Sequence, residues 1–350
     1  NAKHVRHVFC IGVRRQRVCS AACPFLRYPT AVTVSQVPIA IVIPTYGRHE
    51  VLVDTLRDIM QQQPGPSEII VVDQTPTHPD AVQRQLRQWH DDRAICWRRH
   101  SPPSITGAMN LGLQISQQPL TLFLDDDVVL HPGMLAVHAA ALEDQLDVWA
   151  SVGQVIQPEQ DPEDLEIPPH RGHFRDDLSF PFNTTRSCDE IFNVMAGNLC
   201  VRTDRAIQAG GFDNMFYGVA FRFESEFARR LTQHGGRIVY SPDAGIDHLR
   251  AHRGGTRSTG SHLTSIDPRH GFGDYYFALR SLGGDERWRR GIWRHILRRP
   301  FREIATKFHL RHPWWIPVKF IGEIRALVQA LFRSRGPAKL IAANRTESAG

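Results

Sequence analysis

The 350-residue chain has no apolar run long enough to span a bilayer, so no membrane-crossing helix is expected. Its six cysteines are scattered, and Cys19 and Cys23, spaced like half a zinc site, have no second Cys/His pair nearby. A zinc module is therefore not expected, and a reduced, cytoplasmic setting is. The first 38 residues contain no acid, and Arg14, Arg15 and Arg17 break up any apolar segment there. That pattern does not fit a clean signal peptide, and a basic, disordered extension is the expectation for residues 1–38. There is no internal repeat and no recognisable nucleic-acid-reading module. Nucleic acid is therefore not an expected partner, even with a formal net charge of +6. What the chain does have is 41% hydrophobic, 22% charged and 9% aromatic residues. That composition supports a packed globular fold.

The positive charge is unevenly placed. Residues 39–286 hold 21 Lys/Arg against 33 Asp/Glu, and residues 287–339 hold 14 against two. The body is thus acidic and both ends are basic, which argues against a uniform binder of polyanions. Three parts are expected: the extension over 1–38, an α/β domain over 39–286, and a basic amphipathic helical tail over 287–350.

The body alternates in pattern. Residues 39–43 form a short apolar run stopped by Pro44, and Val51, Leu52, Leu56, Ile59 and Met60 then recur at helical spacing. Apolar runs return at 69–72, 95–98 and 120–124, separated by helical patterns near 80–90, 105–116 and 132–142. Strand and helix in alternation predict a mostly parallel sheet with helices on both faces. Residues 157–190 turn to Pro, Asp, Glu and His and predict a long surface loop. A helix near 222–234 and a strand at 237–240 follow. Residues 249–270 then suit a mobile loop.

Leu122-Phe123-Leu124 runs straight into Asp125-Asp126-Asp127. Successive strand residues face opposite sides, so Asp125 and Asp127 share one side. Paired carboxylates there repel unless a cation lies between them, and hard oxygen ligands suit Mg²⁺ or Mn²⁺. Asp73 ends another strand and points to the same crevice, at the carboxyl ends where open α/β sheets bind ligands. The alternative reading is a solvated acidic turn.

These segments resemble, in order and spacing, the motifs of family-two glycosyltransferases with the GT-A fold. The matching pieces are Ile41-Val42-Ile43-Pro44-Thr45-Tyr46-Gly47-Arg48, Glu68 to Asp73, Gly107 to Gly112, Asp125 to Asp127, Ala196-Gly197-Asn198, Gly210 to Asp213, and Phe223 to Phe227. The resemblance covers about 39–250 and implies a GT-A type α/β domain, with a mostly parallel nucleotide-binding sheet sandwiched by helices. It implies a metal-dependent, inverting transfer of a sugar from a nucleoside diphosphate donor, UDP- or GDP-linked. The receiving hydroxyl would belong to a glycan, a lipid-linked or a small-molecule acceptor. Carried over by residue, Pro44, Thr45, Arg48, Asp73, Asn110, Asp125 and Asp126 are donor-binding positions. Gly197 and Asn198 line the acceptor or sugar, Asp125 and Asp127 hold Mg²⁺ or Mn²⁺, and Glu224 is the catalytic base. Gln74, Met109 and Glu224 depart from the residues more usual in the family. His248, in Ile246-Asp247-His248-Leu249, resembles the metal-ligating His of some GT-A enzymes; a packing role is the alternative. Arg253 and Arg257, in a Gly-rich loop, can close over a diphosphate. Glu226 is placed to pair with Arg230 one turn on. The other functions consistent with such a sheet are a sugar nucleotidyltransferase and a non-catalytic nucleotide-sugar binder on a membrane surface.

In the tail, Arg residues interleave with Trp288, Trp293, Ile296 and Leu297, and Trp314 and Trp315 follow. Phe320, Ile321, Ile324, Leu327, Val328, Leu331 and Phe332 then make a helical stripe, with Lys319 and Glu323 outside it. Such helices lie on anionic membranes, here the cytoplasmic face, or pack on their own domain or on a second subunit.

Overall fold

A computed structural model describes residues 36–143, 145–169, 178–251, 253–255, 261–283 and 286–342. The expectation for residues 1–38 therefore falls almost wholly outside the described residues. The strands are β1 (Gln36–Thr45), β2 (Gly65–Asp73), β3 (Cys96–Arg99), β4 (Leu120–Leu124), β5 (Val128–Leu130), β6 (Val148–Ile156), β7 (Asn198–Arg202) and β8 (Arg237–His248). The helices are α1 (Glu50–Gln61), α2 (Asp80–Asp91), α3 (Ile105–Ile115), α4 (Met134–Glu143), α5 (Thr203–Gln208), α6 (Phe223–Gln233), α7 (Phe272–Arg280), α8 (Glu286–Ile304), α9 (Lys307–Arg311) and α10 (Ile316–Ser334).

One eight-stranded sheet runs in the order β3-β2-β1-β4-β7-β6-β8-β5. The β1–β2, β1–β4, β2–β3 and β6–β8 pairs are parallel; β4–β7, β6–β7 and β5–β8 are antiparallel. The mixed α/β, mostly parallel arrangement agrees with the alternation in the sequence. β1 reads as an unbroken apolar run because both its faces are covered. Ile39, Ile41 and Ile43 enter a cluster with Leu52 and Leu56, while Ala40 and Val42 enter another with Ala108 and Phe123. Each fully buried Ile, Leu, Val or Phe among them contributes roughly 1.5–3 kcal/mol. α3 lies close on β1: a Cβ added at Gly112 would stand 2.2 Å from Val42 Cγ1. Pro44 does not stop β1. The β4 partner ends opposite Val42, so beyond that point the strand has a free edge that tolerates a residue without an N–H.

The tail is not a separate appendage. The described residues form one compact unit, and Ile292 and Ile296 of α8 and Ala326 and Ala330 of α10 are part of the main core. The face of α10 that packs is also the reverse of the one the apolar stripe predicts. Lys319, Gly322, Glu323, Ala326 and Ala330 are buried, whereas Ile321, Ile324, Val328, Leu331 and Phe332 are exposed. The cause is a buried ion network. Arg299 Nε lies 2.8 Å from Asp274, Arg299 Nη1 lies 3.1 Å from Glu323, and Lys319 lies 2.8 Å from Glu323. His295 of α8 adds a 2.7 Å contact to Asp274. No described helix is long and apolar enough to cross a membrane.

Candidate active site

The three acids sit where β4 gives way to β5, at the carboxyl end of the sheet. The antiparallel β5–β8 register places Val128 opposite His248. His248, the last residue of β8, is thereby brought to the acids. Its Nε2 lies 3.2 Å from Asp127 Oδ1 and 3.7 Å from Asp125 Oδ2. Ligand atoms of Asp125, Asp127 and His248 all fall within 4.8 Å of one another. His248 Nδ1 is 2.9 Å from Gln157 Oε1. A proton on Nδ1 donated to that carbonyl leaves the Nε2 lone pair facing the carboxylates, the tautomer a metal ligand needs. Two carboxylates and one imidazole make a donor set that fits Mn²⁺ or Mg²⁺.

Asp126 points elsewhere. Arg48 Nε donates to Asp126 Oδ1 at 3.1 Å, and Arg48 Nη2 lies 3.2 Å from Asp127. The same guanidinium donates to the carbonyls of Ala251 (2.8 Å) and Arg253 (2.7 Å). Gly255 N donates to Tyr46 O at 2.7 Å. Arg48 thus ties the acids to the 251–255 loop. Burial pushes the Asp126 carboxyl up to about 7; Arg48 opposes this, and Asp127 and Asp125 add to it. Burial also works against ionisation of Asp127, but His248, Arg48 and the Ala251 N–H outweigh it and hold Asp127 below the ordinary carboxylate range. Together these residues line a cleft of about 500 Å³ with Pro44, Thr45, Gln74, Ser104, Tyr217 and Arg269. A cavity of about 600 Å³ lies at the other end of β1, β2 and β3, lined by Gln36, Gly65, His90 and Cys96. It sits at the amino ends of the strands, away from the acids and from the edge where α/β sheets bind ligands.

Residues 40–196 match the family model described as glycosyl transferase family 2. Residues 40–196 thus carry a domain of this family. It is a glycosyltransferase with a GT-A type fold. Its fold is similar to that of the mannosyltransferase PcManGT from Pyrobaculum calidifontis, solved with GDP-Man and Mn²⁺. The two share 17% identity over 84% of this chain and 75% of that one, with a TM-score of 0.50. TarS 1–349 from S. aureus, solved with UDP-GlcNAc, is similar at 14% identity over 85% and 88%, TM-score 0.55. GalNAc-T7, solved with UDP, GalNAc and Mn²⁺, gives 13% over 69% and 50%, TM-score 0.51. No curated protein matches the chain.

Not every expected site residue of this glycosyltransferase reaches the cleft. Asp73 is fully buried and holds four donors: the Thr75 N–H, His78 Nε2, Trp97 Nε1 and Arg99 Nη1. Burial opposes its ionisation, but the His78 and Thr75 hydrogen bonds keep it below the ordinary range. Its neighbour Gln74 lines the cleft instead, with Oε1 accepting the Ser104 N–H at 2.6 Å. Asn110 clamps a turn: its Nδ2 donates to Phe212 O and its Oδ1 accepts the Phe212 N–H, both at 2.8 Å. Asn198 is fully buried. Its Nδ2 donates to Gln154 O and Ala244 O, and its Oδ1 meets His138 Nε2 at 2.9 Å. In this structure the Asp73, Asn110 and Asn198 side chains are thus each engaged by the protein's own groups.

Gly197 lies directly against Asp125. A Cβ there would stand 2.4 Å from Asp125 Oδ2, so only glycine leaves that carboxylate its place. The preceding Ala196 N–H donates to Glu224 Oε1 at 2.6 Å. Glu224 opens α6, half-buried and off the cleft wall proper. Burial pushes its carboxyl up to about 7; the Ala196 N–H and Arg222 oppose this, and Asp125 adds to it. Glu226 pairs with Arg230 at 2.6 Å, as its spacing predicts. The Arg253 side chain is exposed and its carbonyl accepts from Arg48; Arg257 lies outside the described residues. Tyr217, Arg269 and Gln157 are not found by sequence reasoning. Tyr217 follows the Gly210 to Asp213 motif closely enough to have been a candidate, whereas Gln157 opens a segment with no periodicity and carries no signal.

Proposed function

We propose that the protein transfers a sugar from a nucleoside diphosphate donor to an acceptor hydroxyl with inversion at the anomeric carbon, in the presence of Mn²⁺ or Mg²⁺. The observation that carries this reading is the convergence of Asp125, Asp127 and His248 within 4.8 Å at the mouth of the cleft. Those three residues would hold the cation, which, when bound, offsets the negative charge of the diphosphate as it leaves. Asp126 is kept by Arg48 out of that cluster and helps hold the 251–255 loop over the turn after β1. Pro44, Thr45, Gln74 and Ser104 form the wall on which the nucleotide would lie. Arg269, paired with Asp267, is a second arginine on the cleft wall beside Arg48.

Glu224 is assigned as the base. It takes the proton of the acceptor hydroxyl on a carboxylate oxygen. The hydroxyl oxygen forms its bond to the anomeric carbon as the bond from that carbon to the diphosphate oxygen breaks. The electron pair departs with the diphosphate. A carboxyl titrating near neutrality suits that exchange. The turn after β1, Tyr46-Gly47-Arg48, lacks the run of glycines a nucleotidyltransferase would place there, which disfavours that alternative. The test is a panel of UDP- and GDP-sugars with Mn²⁺ or Mg²⁺, read as nucleoside diphosphate release. Release that needs the metal and vanishes in Asp127→Ala is the expected result; metal-independent release, or pyrophosphate release from a nucleoside triphosphate, removes the reading.

A further inference from the structure

The two acids of residues 287–339 are spent inside the fold. Arg299 lies 3.3 Å from Glu303 and 3.1 Å from Glu323, and Lys319 lies 3.7 Å and 2.8 Å from the same two. Apart from Glu286 at the first residue of α8, what α8 and α10 turn outward is apolar and cationic. On α8, Trp293, Leu297 and Phe301 are 50%, 67% and 63% exposed. They alternate with exposed Arg294, Arg298 and Arg302. On α10, Ile321, Ile324, Val328, Leu331 and Phe332 share one exposed face with Arg325, and Arg335 follows just past its end. The Phe301 and Phe320 rings, 6.1 Å apart, join the two helices, and Leu310 and Trp314 between them are also exposed. Single exposed apolar residues are ordinary on a protein surface; a connected set of this size marks an interaction site.

We propose that this face docks the protein on an anionic lipid bilayer. Trp293, Leu297, Phe301, Ile324 and Phe332 enter the boundary between headgroups and acyl chains, and the interleaved arginines meet lipid phosphates. Charge decides the occupant. A second copy meeting this face through its own would set two strongly basic segments, each with 14 Lys/Arg against two acids, against each other. A nucleic acid would satisfy the arginines but leave Leu297, Ile321 and Val328 without an apolar partner. The docking helix also reaches the catalytic cleft. The Tyr217 hydroxyl donates to Gln329 of α10, Arg333 lies 4.9 Å from the Tyr217 ring centre, and Tyr217 lines the cleft. A bilayer held on α10 is thus one helix away from the cleft wall, and a lipid-linked acceptor is the class this placement serves. The lipid-linked acceptor rests on the sugar-transfer reading; the docking itself does not.

The test is co-sedimentation of the whole chain with vesicles of phosphatidylcholine, with and without phosphatidylglycerol. Donor turnover in lipid-free solution is measured in parallel. The wild type is expected to sediment with the anionic vesicles and not with the neutral ones. The triple variant Arg294→Gln, Arg298→Gln, Arg325→Gln should bind about a hundredfold more weakly, from the loss of three cations at the surface. Trp293→Ser, Phe301→Ser, Phe332→Ser should bind at least about tenfold more weakly. All six side chains are exposed, so circular dichroism and lipid-free turnover stay at wild-type values in both. Equal binding to the two vesicle types, or wild-type binding by either variant, overturns the proposal. A lipid-free dimer abolished by the aromatic variant assigns the face to a second copy. Displacement from vesicles by duplex DNA, unaffected in the aromatic variant, assigns it to nucleic acid. If docking fails while turnover persists, the catalytic reading is untouched.

Discussion

Nε2 of His248 stands 3.2 Å from Oδ1 of Asp127, and the pairing of Val128 with His248 across β5 and β8 puts it there. The imidazole would be the third ligand of the cation site proposed on Asp125 and Asp127. His248→Ala should weaken Mn²⁺ binding by at least about tenfold, and Gln157→Leu should do so by about ten- to a hundredfold through loss of the orienting hydrogen bond. Titration of the protein with Mn²⁺, followed by electron paramagnetic resonance of the free ion, checks both. Wild-type affinity in His248→Ala would leave the imidazole with a packing role only.

Gly197→Ala tests the close approach behind Asp125. The added Cβ would meet Asp125 Oδ2 at 2.4 Å, and the acid must turn away from the cluster or the 195–198 backbone must shift. Displacement of a reacting group by about 1 Å costs on the order of a hundredfold in rate. Donor turnover should fall by that factor while the melting temperature changes little, because the glycine is at the site and its neighbour Asn198 keeps its buried bonds. Turnover within a few-fold of wild type would mean that Asp125 has room to spare.

Much of the site is legible in the sequence because it follows a strand. Period-two alternation expects Asp125 and Asp127 on one side; the two do come together, but in the bend between β4 and β5, and the apolar run before them marks the carboxyl edge. Asn110 and Asn198 show where such reading stops. A polar residue in a motif looks the same whether it faces a ligand or a turn that needs three hydrogen bonds, and only the fold tells which. On α10 the helical period is correct and the buried face is not. Apolar patterning assumes the core will take the apolar stripe. Here Asp274 and Arg299 draw Lys319 and Glu323 inward and leave Ile324 and Val328 outside. The distant partners that decide this, on α7 and α8, leave no local trace in the sequence of α10.

His138 should make the fold sensitive to acid. It is fully buried between Ser151 Oγ and Asn198 Oδ1. Burial lowers its pKa to about 4, against the pull of the Asn198 hydrogen bond. The unfolded chain, with a histidine pKa near 6.5, binds the proton more readily than the folded one. Stability contributed by neutral His138 is therefore complete above about pH 6.5 and declines as the pH falls towards 4. The decline amounts to about 3 kcal/mol in total and levels off below that. Urea unfolding of the wild type and His138→Leu across this range checks it. The variant should be less stable at neutral pH, with Asn198 Oδ1 unpaired, yet should lose less on acidification. Parallel pH profiles would count against a neutral buried histidine.

Arg299 should be the most sensitive cation of the C-terminal helices. It neutralises Asp274 and Glu323 in the interior, at 2.8 Å and 3.1 Å. Arg299→Met keeps the length and removes the charge, leaving two buried carboxylates short of a partner, at a cost of about 3–5 kcal/mol. Arg298→Met, one residue earlier and exposed, should cost less than about 0.5 kcal/mol. Thermal unfolding of the pair checks the contrast; equal melting temperatures would show that the network contributes no net stability.

Glu224 sets the expected pH dependence of turnover. Its carboxyl is pushed up to about 7 by burial and by Asp125, against the Ala196 N–H and Arg222. A base must be ionised to act, so kcat/KM should rise with pH and level off above about 7. A cation held against Asp125 removes part of the like-charge pressure on Glu224, so raising Mn²⁺ should move the rising limb to lower pH. Glu224→Gln removes the limb and lowers the rate by about 10²–10⁴. Glu224→Asp keeps the charge but shortens the reach, and should retain a limb at reduced rate. A limb that persists unchanged in Glu224→Gln would place the base elsewhere. Asp126, also raised to about 7, would then be the next group to test, by Asp126→Asn.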